Sequence, residues 1–225
     1  MDYLTYTPLK NITSPFCATD TPSTCKDKNH FFSFPHKISY KHNSKGFRDE
    51  EWPNDLDNVI WCIGDSCTKG VGSPFLHTWP RVLQDKTGTR CLNIGIEGAA
   101  NNLLYLIANQ IIKTFKPKQI VVMWTHFHRR YEDPWIFKHF EKNTREEDIN
   151  NFLSCFNGLN QSYSNICNLF IPEKRDFDQL NLCTNIFANY PILDYARDGL
   201  HFDIKTSEII ATHVVNNINK SLLHS

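Results

Sequence analysis

No stretch of this chain is apolar for long enough to cross a membrane as a helix. A helical span needs roughly 20 apolar residues, and the longest apolar runs fall far short of that. No charge of one sign prevails: Lys plus Arg and Asp plus Glu number 24 each. No basic block interrupts that balance, so the electrostatic footprint of a nucleic-acid binder is missing. None of the eight cysteines forms a Cys-x-x-Cys pair, which argues against a zinc ribbon. Internal repeats and low-complexity tracts are absent too. The opening Met1-Asp2-Tyr3-Leu4 lacks the basic start and apolar core of a secretory signal. The expected setting is therefore cytoplasmic or otherwise intracellular, with the cysteines reduced. Cys17 and Cys25 would pair only in an exported protein.

What is present is a folding sequence. Of 225 residues 40% are hydrophobic, and 16 Phe raise the aromatic share to 13%, enough for one sizeable core. Residues 1–57 show no period and hold Pro8, Pro15, Pro22 and Pro35. They read as an N-terminal extension that packs on a domain spanning 58–225. Within the extension a turn at Lys45-Gly46 precedes Phe47, expected to plug into the core edge.

From Asn58 onward the pattern alternates strand and helix. Near-continuous apolar runs at 59–63, 90–94 and 119–125 read as strands buried on both faces, the mark of a parallel sheet. Helical spacing covers 79–86, 100–115, 146–160 and 205–223. Between 161 and 197 the pattern offers one strand, at 168–171 or at 185–187. The fold class is α/β, with a central, mostly parallel sheet between layers of helices.

Three places carry chemistry. The first strand ends in Gly64-Asp65-Ser66, where a helix begins; ligands bind just past the carboxyl ends of strands in such sheets. Ser66 is either a helix cap or a nucleophile. The second strand ends in Asn93-Ile94-Gly95-Ile96-Glu97-Gly98. Before the last helix stands Asp198-Gly199-Leu200-His201, where the histidine could take a hydroxyl proton and the aspartate could fix its tautomer. Read singly, Asp198 is a turn residue and His201 a helix-start histidine. Two phosphate-loop look-alikes fail: Gly64 to Gly70 ends in Lys-Gly rather than Gly-Lys-Ser/Thr, and Gly95-x-x-Gly98 lacks the leading glycine of a dinucleotide loop.

Together, in this order, these motifs resemble the SGNH (GDSL-type) hydrolase family across roughly residues 58–223. Asn43 to Asp49, Asn-Ser-x-Gly-Phe-Arg-Asp, is similar to a lead-in of some members. The resemblance implies a three-layer flavodoxin-like fold and hydrolysis of a carboxylic ester, with Ser66 as nucleophile, His201 as general base and Asp198 as its orienting carboxylate. The oxyanion donors it implies are the backbone N–H groups of Ser66 and Gly98. The expected substrate is a small-molecule, carbohydrate or lipid ester, with no cofactor. An acyltransferase with the same triad, or a non-catalytic binding protein on the same fold, are the alternatives.

One block departs from the pattern. The family's third strand usually ends in Gly-x-Asn-Asp, whose Asn donates to the oxyanion; here it runs into Thr125-His126-Phe127-His128-Arg129-Arg130. His128 stands nearest that Asn, with Thr125 and His126 within a short shift; a histidine N–H could donate in its place, and Asn101 or Asn102 could turn inward from the second loop. His126 and His128 on a continuing strand could instead bind a metal with Asp133 or His139. Arg129 and Arg130 could clamp an anionic group, or pair with Glu132 or Asp133.

Overall fold

The computed structural model describes residues 2–115, 117–132, 135–139, 143–171, 186–187 and 190–222. The N-terminal segment contributes a two-residue ribbon, β1 (Thr13–Ser14) against β2 (Tyr40–Lys41), and between them a short helix α1 (Lys28–Ser33). Its Phe47 is fully buried in the main core and stacks on Trp52 with ring centroids 5.7 Å apart.

The alternating part follows as β3 (Ile60–Gly64), α2 (Ser66–Lys69), α3 (Trp79–Thr87), β4 (Cys91–Gly95), α4 (Asn101–Phe115) and β5 (Gln119–Trp124). A hairpin comes next, β6 (Arg129–Glu132) with β7 (Trp135–His139), then α5 (Arg145–Ser162), β8 (Ile166–Phe170), β9 (Ile186–Phe187) and α6 (Ile204–Leu222). Four full strands and the two-residue β9 form one parallel sheet in the order β4-β3-β5-β8-β9. That is the flavodoxin-like order 2-1-3-4-5. The chain moves one way from β3 to β4 and the other way from β4 to β5, so right-handed crossovers put the intervening helices on opposite faces. Accordingly α3 packs on α6, and α4 packs on α5. The three layers expected from the sequence are present.

The central strands are buried along their whole length, as an apolar strand covered on both faces must be. Trp61 of β3 stacks on Phe115, and Trp124 of β5 meets Phe152 edge-on. Among the described residues the weak signal between 161 and 197 covers two strands, β8 and β9, where one was expected. Polar Asn168 interrupts the apolar run of β8, yet it is satisfied inside the core: it accepts from Trp124 Nε1 at 2.9 Å and donates to Asn160 at 2.8 Å. The β6–β7 hairpin was not expected; charged residues on a four-residue strand give no apolar alternation to read.

At the carboxyl end of the sheet the chain packs closely. Gly64 of β3 pairs with Gly95 of β4, and Gly95 abuts the backbone of α2. A Cβ at Gly95 would stand 2.2 Å from the Lys69 backbone nitrogen, a neighbour that cannot swing aside. Gly95→Ala is therefore expected to lose about 1–3 kcal/mol of stability through overpacking. For a domain of this size that is a Tm lower by on the order of 2–12 °C, readable by thermal unfolding followed by circular dichroism.

Candidate active site

Ser66 opens α2 immediately beyond β3, at the point where the strand order reverses. Asp65 caps that helix: its Oδ1 accepts from the Cys67 N–H at 2.9 Å. The capping role therefore belongs to Asp65, which leaves the Ser66 hydroxyl available. The Ser66 N–H is in the first helical turn, whose donors lack partners within the helix.

The Ser66 hydroxyl meets His201 Nε2 at 2.8 Å, and His201 Nδ1 lies 2.6 Å from Asp198 Oδ2. Asp198 has no exposure to solvent. Burial alone would raise its pKa, but the hydrogen bond and charge of His201, with donors from Thr19 and Leu200, outweigh that and hold it at about 2. An ionised carboxylate only accepts, so Nδ1 carries the imidazole proton, and neutral Nε2 accepts from the serine. Burial pulls the His201 pKa down; the hydrogen bond and charge of Asp198 outweigh it and raise it above its ordinary value, with Asp65 adding to the rise and Arg129 opposing it. Asp198 Oδ1 accepts the N–H groups of Leu200 and His201 at 3.0 and 3.1 Å. The turn that reads Asp-x-x-His thus folds around its own carboxylate.

The N-terminal segment closes over this carboxylate. Thr19 donates its hydroxyl to Asp198 Oδ2 at 2.6 Å, across 179 residues of sequence. Asp20, fully buried, takes two hydrogen bonds from Arg197 at 2.8 and 2.7 Å and one from the Tyr40 hydroxyl at 2.6 Å. The Lys26 N–H bonds the Asp198 carbonyl, and His30 Nε2 reaches the Ala196 carbonyl at 2.9 Å. Nothing in the sequence marked Thr19, because its partner is distant and a lone Thr in a Pro-rich segment has no period.

The second loop is fixed from below. Gly98 has φ +66°, a left-handed conformation that suits glycine. Beside it Glu97 pairs with Lys69, itself almost fully buried, and accepts from the Cys17 thiol. Burial pushes the Cys17 thiol up to about 12, so it stays a neutral donor. Cys17 and Cys25 are both free thiols. Arg48 of the lead-in spans to the carbonyls of Ser39, Lys69, Gly70 and Ser73 and pins the end of α2.

The third turn differs from expectation. β5 stops at Trp124, so His126 and His128 occupy a turn and not one face of a strand. His126 is half-buried and His128 exposed; their rings tilt against each other at 5.3 Å. Asn102 is engaged by the hairpin. Its amide donates to the Tyr131 carbonyl at 3.1 Å and accepts the Tyr131 N–H at 2.9 Å, which makes it the anchor of β6. Asn101 is used in the same way on Thr125, donating at 2.9 Å and accepting at 2.8 Å. Arg129 pairs with Asp65 at 2.9 Å and Arg130 with Asp148 at 2.5 Å. Both are structural ion pairs rather than the substrate clamp considered from sequence. Asp133 lies outside the described residues, and among the described residues no group of three His, Cys, Asp or Glu could hold a metal ion.

No protein-family model matches the chain, and no curated protein matches it. Solved structures do. A carbohydrate esterase whose active site displays divergent catalytic and non-catalytic binding functions aligns with 76% of this chain and 67% of its own, at 13% identity and TM-score 0.52. The psychrotrophic esterase EstA from Pseudoalteromonas sp. aligns over 74% of this chain and 99% of its own, at 16% identity and TM-score 0.47. A G-D-S-L family protein from Desulfitobacterium hafniense aligns over 50% of this chain and 58% of its own, at 16% identity and TM-score 0.36. The chain thus spans under two thirds of that last protein's length. The fold, a parallel sheet between layers of helices, is the one this chain shares with that carbohydrate esterase at TM-score 0.52.

Removing the Thr19 hydroxyl tests the link between the N-terminal segment and the site. Thr19→Val leaves a charged acceptor short of one donor, a loss of about 1.5–3 kcal/mol at neutral pH. Because the folded Asp198 pKa lies below its ordinary value of 3.8, this stability is present above that value and lost as pH falls through about 2. Denaturant unfolding should show a deficit for Thr19→Val at pH 7 that shrinks between pH 4 and pH 2.

Proposed function

We propose that this protein is a serine ester hydrolase acting through an acyl-enzyme. The observation that carries the reading is the unbroken hydrogen-bond chain from Ser66 through His201 to Asp198. A serine hydroxyl is a weak nucleophile until an adjacent base removes its proton. In the proposed reaction Ser66 Oγ attacks the ester carbonyl while His201 Nε2 takes its proton. The carbonyl oxygen becomes an oxyanion, received by the N–H groups of Ser66 and Gly98. The tetrahedral species collapses, the alcohol departs with the proton returned from His201, and water repeats the cycle on the acyl-Ser66 ester. Asp198 stays ionised throughout and stabilises the imidazolium.

His126, half-buried in the turn after β5, is the proposed third oxyanion donor. One such donor is typically worth on the order of 3 kcal/mol in the barrier. The substrate class proposed is a small-molecule, carbohydrate or lipid ester. Carbohydrate is favoured by the TM-score 0.52 neighbour, described as a carbohydrate esterase. A second reading rests on a specific observation: the usual third-block Asn is missing, and the nearby asparagines are both committed to backbone. On that reading the cleft binds a ligand without hydrolysing it, and the ester assay separates the two.

With p-nitrophenyl acetate as substrate, Ser66→Ala is expected to lower kcat/KM by orders of magnitude while leaving the circular dichroism spectrum and Tm near wild type. Hydrolysis undiminished in that variant would reject the reading. The rate of the native protein should rise with pH as His201 loses its proton. Its pKa is raised in the folded protein, so the midpoint is expected above the ordinary ~6.5. A profile flat from pH 5 to 8 would show that this histidine is not the base.

A further inference from the structure

The turn that lacks the usual asparagine is wired to the residue before Ser66. Asp65, almost wholly buried, uses one carboxylate oxygen to cap α2 at the Cys67 N–H. Its other oxygen accepts from the Thr125 hydroxyl at 2.7 Å and from Arg129 Nη1 at 2.9 Å. The same Nη1 lies 2.9 Å from Thr125 Oγ1, so three side chains close a ring. Neither partner is loosely held. Thr125 is clamped through its backbone by Asn101, and Arg129 opens β6, which Asn102 anchors at Tyr131. Where the family that the motifs resemble usually has an amide donor, this chain has a carboxylate–hydroxyl–guanidinium cluster tied to the turn of Ser66.

Asp65 also confronts the sheet's carboxyl end with a second buried negative charge, beside that of Asp198. The charged groups acting on His201 are Asp198 from its own turn, Asp65 from the β3–α2 junction and Arg129 from β6, and its neutral neighbour is the Ser66 hydroxyl. An uncompensated Asp65 would stabilise the imidazolium and keep the base protonated at the pH where it must be free. The Arg129 guanidinium, permanently charged, offsets it.

We infer that Arg129 is a positioning residue for the proposed ester hydrolysis: held on Asp65 and Thr125, it fixes the turn that carries Ser66 and balances the second carboxylate facing His201. This rests on the reading of Ser66 and His201 given above. It assigns a function to the divergent turn that an asparagine count leaves blank. Buried pairs of this kind break asymmetrically: loss of one partner leaves the other charge buried and unpaired.

The test uses the full chain with Arg129→Gln, Arg129→Lys and Asp65→Asn, and reads two quantities. One is the His201 titration midpoint by NMR of the imidazole Cε1–H; the other is kcat and KM for p-nitrophenyl acetate against pH. Arg129→Gln should move both the NMR midpoint and the rising limb of the rate to higher pH. At pH 7 it should lower kcat on the order of tenfold to a hundredfold with KM little changed. Arg129→Lys should return the limb towards that of the native protein, and Asp65→Asn should move it to lower pH. A His201 midpoint unmoved in a folded Arg129→Gln protein overturns the inference. If that variant does not fold, an unmoved midpoint in a folded Asp65→Asn protein overturns it equally. The NMR midpoint does not need turnover, so shifts in an inactive native protein would reject the ester reading while leaving the electrostatic coupling intact.

Discussion

A carboxylate with no access to water can stay charged only if the protein supplies what water would have supplied. Asp198 is that carboxylate, and much of the molecule near the sheet's carboxyl end is arranged to satisfy it. His201 and Thr19 donate to one oxygen, and the N–H groups of Leu200 and His201 donate to the other. The turn Asp198 to His201 is shaped by its own acid, which sets the imidazole plane and so its reach to Ser66. Thr19 must then be delivered from the far end of the chain, and the buried Asp20–Arg197 and Asp20–Tyr40 contacts hold it there. The N-terminal segment contributes no strand to the main sheet, yet it completes the acid end of the site.

Other buried charges near Ser66 follow the same logic. Lys69 and Glu97 tie α2 to the Gly98 loop, Arg48 collects four backbone carbonyls around the end of α2, and Asp65 joins α2 to the third turn. Pairs like these are costly to bury, and well-packed apolar residues could often match their stability. What they add here is geometry. The loops after β3, β4 and β5 are each locked to another by a polar contact that tolerates little displacement, as the proposed oxyanion site would require.

The sequence made the scaffold legible because the scaffold is built from local period. Runs such as Val59 to Ile63 and Gln119 to Thr125 can hardly be anything but doubly covered strands, and Leu103, Leu104, Ile107 and Ile111 mark one face of α4. The Ser66, Asp198 and His201 positions were legible for a different reason: each stands at the edge of such an element, next to a glycine turn. What escaped was set by tertiary contact alone. Thr19, Lys69 and Arg129 find partners across 179, 28 and 64 residues of chain, respectively, and pairing at that range leaves no trace in spacing. The partner of Asn102 was hidden for a related reason. An asparagine at a helix start reads equally well as a donor to a ligand or to backbone, and only the hairpin's arrival at Tyr131 decides between them.

The central claim is that Ser66 is a nucleophile activated by His201 and not a polar residue at a helix start. Exposure of the folded protein to a fluorophosphonate probe, followed by peptide mass spectrometry, tests it most directly. Stoichiometric phosphonylation is expected on Ser66 at pH 8, and none in His201→Ala. A folded native protein that remains unlabelled, or carries its label on a different residue, would contradict it.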